Sequence, residues 1–395
     1  MTDAAEAAAR PGDKPLPRLA LLREMTDRTV LEQVFDQGRV TRAALAETTG
    51  ISKPTISESV RRLESSGVLR ASGSNETGRR GRVATYYTLA PDAGHVLAVE
   101  VNQHGVRTLS ADLAGNPHGT ARLTTPTAEG TEALADALRT AVAQALRDRA
   151  DDGALRALAV SVANPVAPQT RTVIALPDSP FPENTLDPRT VLAELAPAPC
   201  LVDNDVNFAA LAERRAGAAA DTHSFLYAYI GAGLGLSLYV GDQLIRGAHG
   251  LAGEIGYLNT AGTNPPLSLS NALARQGFGR PGSPALDVGV VTEHLARAAS
   301  GDTAARAAVD SLSNALGQAL AAACTVVDPE LVLLGGPLGG LPELLEPIRA
   351  TVAGAAFVPV RIELGTVTDS PGLRGALLAA VEAGRAGVLA SQPSR

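Results

Sequence analysis

The apolar positions of this chain change period along its length, and each change marks an element. Ile56, Val60 and Leu63 recur at i, i+4 and i+7, the spacing of a helix with one buried stripe, which leaves Lys53, Thr55, Ser57, Glu58 and Arg61 on the opposite face. The helix before it ends Leu45-Ala46-Glu47-Thr48-Thr49 and stops at Gly50, which takes the positive φ of a sharp turn; Ser52 stands where it can cap the second helix. That is helix-turn-helix grammar. Beyond Gly67 the period falls to two. Val68-Leu69-Arg70 and Thr85-Tyr86-Tyr87-Thr88-Leu89 alternate like the strands of a hairpin whose tip carries Gly78-Arg79-Arg80-Gly81-Arg82. The pattern predicts a winged helix-turn-helix domain (α+β) over residues 18–90. Residues 1–17, rich in Ala, Pro, Gly and charge without periodicity, read as a flexible tail.

After Pro91-Asp92-Ala93-Gly94 strands are expected at 95–102, 106–113, 118–125 and 155–162, with an amphipathic helix at 129–149. A second series has strands at 225–229, 236–240 and 331–334, helices at 290–299 and 303–326, and a closing helix near 373–386. Strand-rich and helix-rich stretches alternate twice, which predicts two similar α/β lobes around a cleft, at about 93–205 and 206–395, the last helix being free to return to the first lobe. A chain of 395 residues is long enough for two or three such units.

Charge divides along the same line. Residues 1–90 carry a net +3 and the remainder −10, for a total of −7. An acidic protein is repelled by DNA at long range, so binding must rest on a local basic face and on two heads rather than one. A homodimer on an inverted repeat of double-stranded DNA is therefore expected, with a tetramer as the alternative. The start of the second helix reads base edges in the major groove, while the arginine tip neutralises phosphates or enters the minor groove. The candidate DNA contacts are Thr41, Arg42, Ser52, Lys53, Thr55, Ser57, Arg61, Arg62, Arg79, Arg80 and Arg82. A purely structural three-helix domain with solubilising arginines would leave the coincidence of turn, periodicity and basic tip without a reason.

Two cysteines, Cys200 and Cys324, form no CxxC pair, so spacing supports neither a disulfide framework nor a cysteine zinc site. The start, Met-Thr-Asp-Ala-Ala-Glu, lacks the basic and apolar segments of a secretory signal, and no apolar run approaches about 18 residues. A cytoplasmic protein without membrane attachment is expected.

Three segments carry a resemblance. They are Leu201-Val202-Asp203-Asn204-Asp205-Val206-Asn207-Phe208-Ala209-Ala210-Leu211-Ala212-Glu213, Gly231-Ala232-Gly233-Leu234-Gly235 and Arg246-Gly247-Ala248-His249-Gly250-Leu251-Ala252-Gly253-Glu254-Ile255-Gly256-Tyr257. In order and spacing the chain from about residue 93 to its end resembles the ROK family of repressors, open reading frames and sugar kinases. With its winged helix it is similar to the xylose, glucose and N-acetylglucosamine repressors of that family. The resemblance implies a two-lobed α/β actin-like ATPase (ribonuclease H-like) fold. It also implies a sugar or sugar phosphate as ligand; amino sugars are favoured and xylose and glucose are the alternatives.

In family kinases the residues matching Asn204 and Asp205 sit at the sugar, the Asp as general base. A carboxylate also binds a hydroxyl without any reaction, and Asn204 alone reads equally as a helix cap. Glu254 matches a sugar-binding glutamate, although a solvent-exposed loop acid is its simpler local reading. Tyr257 stands where the family has a histidine that binds sugar and a structural zinc, and the cysteine cluster that normally follows is absent from Gly262-Thr263-Asn264-Pro265-Pro266-Leu267-Ser268-Leu269-Ser270. A structural zinc wants four N or S donors, so no metal is expected.

The ATP side is also altered. Glu100-Val101-Asn102-Gln103-His104-Gly105 replaces the family's Asp-x-Gly-Gly-Thr, and Ala232 replaces a hydroxyl residue in the second phosphate loop. Gly335 and Gly336 match the adenosine-side turn but serve equally as a tight strand-to-helix turn. The expected function is a sugar-controlled, non-enzymatic, DNA-binding repressor without cofactors, whose ligand residues are Asn204, Asp205, Glu254 and Tyr257. A ROK domain that only dimerises, and an active sugar kinase, are the competing readings.

Overall fold

The computed structural model describes residues 18–390 apart from 75–83, 103, 124–129, 178, 180, 182–185, 261–266, 280–282 and 284. The chain divides into two compact units, residues 1–94 with 152–154 and 385–395, and residues 95–151 with 155–384.

In the first unit α1 (Arg18–Gln37), β1 (Val40–Thr41), α2 (Arg42–Thr49) and α3 (Lys53–Ser65) precede the hairpin strands β2 (Leu69–Ser74) and β3 (Thr85–Leu89). Gly50 closes α2 at φ 70, the left-handed turn expected of it. The stripe Ile56, Val60 and Leu63 is fully buried, together with Val30, Leu31 and Val34 of α1. The strand order β1-β3-β2 builds the wing sheet, with β1 and β2 both antiparallel to β3. α1 was not foreseen, because its exposed positions include Leu21, Leu22 and Met25 and its apolar stripe is blurred.

The second unit is built twice on one plan. β4 (His95–Asn102), β5 (Gly105–Asp112) and β6 (Pro117–Leu123) form an antiparallel meander; α4 (Gly130–Arg147), β7 (Leu155–Val162), α5 (Pro188–Leu192), β8 (Cys200–Asn204) and α6 (Asp205–Ala216) complete the first lobe. The sheet runs β6-β5-β4-β7-β8, with β4, β7 and β8 parallel. The second lobe repeats this order as β11-β10-β9-β12-β13, from β9 (Phe225–Ile230), β10 (Leu234–Val240), β11 (Gln243–Ile245), β12 (Leu331–Gly335) and β13 (Arg361–Leu364). Its helices are α7 (Leu269–Leu273), α8 (Val288–Ala299), α9 (Thr303–Val327), α10 (Gly336–Gly339), α11 (Pro342–Ala355) and α12 (Pro371–Ala390).

Each sheet is covered by helices. In the first lobe Leu138 and Val142 of α4 bury against Leu97, Val99 and Val160; in the second Leu312, Leu316 and Leu320 of α9 cover Leu226, Ala228, Val332 and Leu334. The central strands β7, β9 and β12 are near-continuous apolar runs because both of their faces are buried. In α12, Gly375 packs on the Phe208 carbonyl and Gly384 on Val96, Leu113 and Arg156, so this helix lies on elements of the first lobe. No helix among the described residues is long and apolar enough to cross a membrane.

Candidate functional site

The DNA-reading face is assembled by caps. Thr41 Oγ1 accepts from Ala44 N at 3.1 Å and starts α2; Ser52 Oγ accepts from Thr55 N and shares a 2.7 Å hydrogen bond with Thr55 Oγ1 at the start of α3. Both hydroxyls thus satisfy helix-end amides while remaining near the surface where phosphates would lie. Lys53 and Thr55 are exposed, Ser57 is half-buried, and exposed Arg61 pairs with Glu58.

Arg62 does something different from what its place in the sequence suggests. It turns inward, Nε donating to Asp27 Oδ2 at 3.1 Å and Nη2 to Asp27 Oδ1 at 2.5 Å, while buried Ser59 donates to the same carboxylate. It is a strut from α3 to α1 rather than a groove-facing side chain, and the partner lies 35 residues away, beyond the reach of local pattern. Arg42 stacks over the Tyr87 ring at 5.0 Å. Arg39, which no motif marked, lies 3.9 Å over Tyr86 beside the hairpin. The tip arginines Arg79, Arg80 and Arg82 fall outside the described residues.

Between the two lobes of the second unit lies a cavity of about 960 Å³, at the top of the range for small-molecule sites. One end is the corner where β8 becomes α6. Asn204 Oδ1 accepts from Val206 N at 3.0 Å and so caps α6, which leaves its amide nitrogen, without a partner among the described residues, to a ligand. Asp205 follows in the first turn, where the helix dipole favours a negative charge.

Glu254 reaches the same cavity from a bend that only glycine permits. Gly253 sits at φ 92, and a Cβ there would lie 1.7 Å from the Leu236 carbonyl of β10. The Glu254 side chain is half-buried with no partner among the described residues, and burial alone pushes its pKa up to about 7. Tyr257 also lines the cavity, but its hydroxyl donates to the Pro177 carbonyl at 2.8 Å, so the ring fastens Pro177 to the rim.

All four expected ligand residues therefore line one cavity. Three polar residues not among the expected ligand residues join them, Asn207 from within the quoted motif and Asn164 and Ser179 from outside any motif. Asn164 accepts from Ser179 Oγ at 3.0 Å, and Asn207 donates to Asp203 at 2.9 Å and accepts from Ser237. Asn207 could have been read from α6 periodicity, three positions after Asn204; Asn164 and Ser179 carry no such signal.

Rings of β9 stand in the wall at the other end of the cavity. β9 alternates Phe225, Tyr227, Tyr229 on one face with Leu226, Ala228, Ile230 on the other, and its tyrosines point toward the glycines expected to cradle phosphate. A Cβ on Gly231 would meet the Tyr229 ring at 2.8 Å, one on Gly335 the Tyr227 hydroxyl at 2.1 Å, and one on Gly336 the Tyr229 ring at 2.9 Å. Gly336 also holds φ 84, so both chain direction and ring packing demand glycine there. At these three positions the room a side chain would need is taken by rings, while Ala232, Gly233, Gly235, Gly335 and Gly336 still line the open cavity. Burial first, then neighbouring carboxylates, push both phenols well above their usual range, so they stay neutral and cannot act as acids or bases near neutral pH. Glu100, at the position of the family's magnesium-side Asp, is raised by burial and lies 3.8 Å from Arg107, which also donates to Ser370.

The fold, a winged helix-turn-helix unit and a two-lobed actin-like ATPase unit, defines the class, and comparisons with known proteins agree. The chain belongs to the ROK family: the family model matches residues 96–382, and a winged helix-turn-helix DNA-binding model matches residues 25–70. It is 21% identical to the xylose repressor of Caldicellulosiruptor bescii, across 88% of this chain and 93% of that protein. Among solved structures it resembles a ROK family transcriptional regulator, a homologue of the Escherichia coli MLC protein (TM-score 0.69, 17% identity, 94% of this chain and 98% of the other). It also resembles the ROK hexokinase from Thermus thermophilus (TM-score 0.56, 26% identity, 72% and 97%).

The structural zinc implied by the resemblance does not fit these residues. Tyr257 offers a hydroxyl already bound to Pro177, while the two cysteines lie in β8 and α9.

Proposed function

We propose that this protein is a DNA-binding transcriptional repressor whose ROK unit senses a sugar or sugar phosphate and does not phosphorylate it. It acts in the cytoplasm as a homodimer on an inverted repeat, with a tetramer as the alternative. One observation carries the reading: Asn204, Asp205 and Glu254 line a single cavity, while three glycines of its phosphate side, Gly231, Gly335 and Gly336, are packed against Tyr227 and Tyr229. The winged helix supplies the output, and likeness to a xylose repressor supports a sugar as the input.

A ligand that lowers operator affinity must bind less tightly to the DNA-bound form, by the same factor. The test is fluorescence anisotropy on the DNA upstream of the protein's own coding sequence, with amino sugars, their phosphates, xylose and glucose, paired with sugar titration in the presence of that DNA. Release by one sugar, with matching reciprocal factors, is expected; turnover of any hexose or amino sugar with ATP overturns the non-enzymatic part. Within the reader, Thr55→Ala should relax sequence preference by about 1–3 kcal/mol at one base position if Thr55 meets a base. Arg62→Ala should instead lower the stability of the DNA-binding unit by roughly 1–2 kcal/mol and spare preference, because it strips a largely buried Asp27 of its partner. Equal effects of the two on preference would refute the inward assignment of Arg62.

A further inference from the structure

β8 has two faces, and the second has a cavity of its own. Asn204 lines the large cavity, whereas its neighbour Asp203 lines a recess of about 460 Å³ on the opposite side, as alternation along a strand requires. Four arginines stand in the wall of this recess, Arg171, Arg214, Arg215 and Arg246, against the two carboxylates Asp203 and Asp242.

Arg246 donates to Asp203 Oδ2 (Nε at 2.9 Å), and Arg214 donates to Asp242 Oδ1 at 2.6 Å. Among the described residues Arg215 pairs with the exposed Glu382, at 3.2 Å. The Arg171 guanidinium has no partner among the described residues, yet its backbone is held at φ 59, a conformation a long side chain avoids unless its surroundings impose it. The surroundings do impose it. Arg171 N donates to Ala167 O at 2.8 Å, Gln169 fastens the loop to the Ala248 carbonyl, and Arg189 holds the Thr170 carbonyl. The buried Tyr239 hydroxyl reports the local field: burial pushes its pKa up to about 12, and Arg246, Arg215 and Arg214 all pull against that rise. A protein of net charge −7 thus keeps a recess where positive groups outnumber negative ones by two to one.

We propose that this recess is a binding site for a phosphate monoester, separate from the sugar cavity. Guanidinium forks match phosphate oxygens in pairs, and the recess is of the size that encloses a small metabolite rather than a flat macromolecular surface. Binding there has a route to the sugar side. Asp203 Oδ1 accepts from Asn204 N at 2.8 Å and from Asn207 Nδ2 at 2.9 Å, and Asn207 lines both cavities. A phosphate that draws Arg246 toward itself shifts the carboxylate that positions Asn204 and Asn207. This last consequence rests on the sugar-sensing reading above; the site itself does not.

The test uses the full-length protein in chloride buffer, with inorganic phosphate and glucose 6-phosphate as probes, followed by calorimetry and thermal shift. Saturable binding of glucose 6-phosphate that Arg171→Ala and Arg215→Ala, both at exposed positions, each weaken by at least about tenfold is expected, with Arg306→Ala, an exposed arginine elsewhere, giving no change. No binding of either probe, or binding indifferent to both substitutions, overturns the site. Displacement of glucose 6-phosphate by neutral glucose places the ester in the sugar cavity and also overturns it. Sugar affinity measured with and without inorganic phosphate then tests the coupling alone: a change of several-fold that Arg171→Ala abolishes supports the route through Asp203, and an unchanged affinity removes that route while leaving the site standing.

Discussion

The two ends of the interlobe cavity are made from the same fold and treated in opposite ways. At the sugar end polar groups are held in place but left with unused valence: Asn204 spends its oxygen on a cap and keeps its amide, and Glu254 keeps a carboxyl that burial raises to about 7 without a partner among the described residues. At the phosphate end Gly231, Gly335 and Gly336 keep their places with the Tyr227 and Tyr229 rings packed against them. Unpaired buried polar groups are costly and persist where a ligand completes them; a packed aromatic needs no ligand. The difference teaches that ring packing alone is enough to demand glycine, with or without a phosphate, since a Cβ at Gly231, Gly335 or Gly336 would clash with the rings.

The comparison breaks first on stability. Tyr227→Ala should cost about 3–5 kcal/mol of the stability of the ROK unit, the range for emptying a buried aromatic site, while changing sugar affinity less than about threefold. Denaturant unfolding and calorimetry measure the two quantities on one preparation. A variant as stable as the parent would mean the ring fills nothing.

Asp205→Ala is the mirror image. On the proposed sugar-binding role, loss of this charged acceptor should weaken sugar binding by about tenfold or more, at roughly 1.5–3 kcal/mol per charge-assisted hydrogen bond. Operator affinity without sugar should stay within about twofold, because Asp205 lies in the ROK unit. Weakened operator binding in the absence of sugar would mean that Asp205 supports the fold rather than the ligand.

How far the sequence carried differs between these ends for a physical reason. Period and capping are local, so β4 and β7 lie where alternation placed them, and the Gly50 turn and the Ser52 cap formed as expected. Asn204, Asp205, Glu254 and Tyr257 were legible because they sit in a linear motif. The packing of Tyr227 and Tyr229 on glycines was not: the rings lie on β9, whereas Gly335 and Gly336 lie some hundred residues on, and the parallel pairing of β9 with β12 brings them together. Arg62 failed for the same reason, since its inward turn depends on Asp27 of α1, an element whose amphipathic pattern is faint. Pairings across strands and helices are where single-sequence reasoning stops.

Nucleotide gives the third contrast. Magnesium-ATP should leave the melting temperature within about one degree, whereas a sugar present at about 100 times its dissociation constant adds roughly 2.7 kcal/mol and moves the melting temperature by several degrees. A shift with ATP matching that with sugar would show that the rings yield to phosphate and would erase the distinction between the two ends.

The smallest effect is the one with the most specific sign. The pKa of Glu254 is raised in the folded protein, from an ordinary carboxyl value to about 7, so the protonated form carries the stability. That contribution is complete below about pH 4, where unfolded and folded carboxyls are both protonated, and is lost as pH rises through about 7. Discounted for its partial exposure, the loss is roughly 1–2 kcal/mol, and Glu254→Gln should remove it, leaving the variant more stable than the parent above pH 7 and its stability flatter between pH 4.5 and 7. Sugar acts in the opposite direction: hydroxyls donating to the carboxylate favour its ionised form, so binding expels a proton and affinity should rise about tenfold between pH 6 and pH 8 in the parent and stay level in Glu254→Gln. Titration calorimetry in buffers of different ionisation enthalpy counts the proton. An affinity that falls with rising pH would mean that Glu254 meets the sugar as a donor, and one that ignores pH would take Glu254 out of the sugar end altogether.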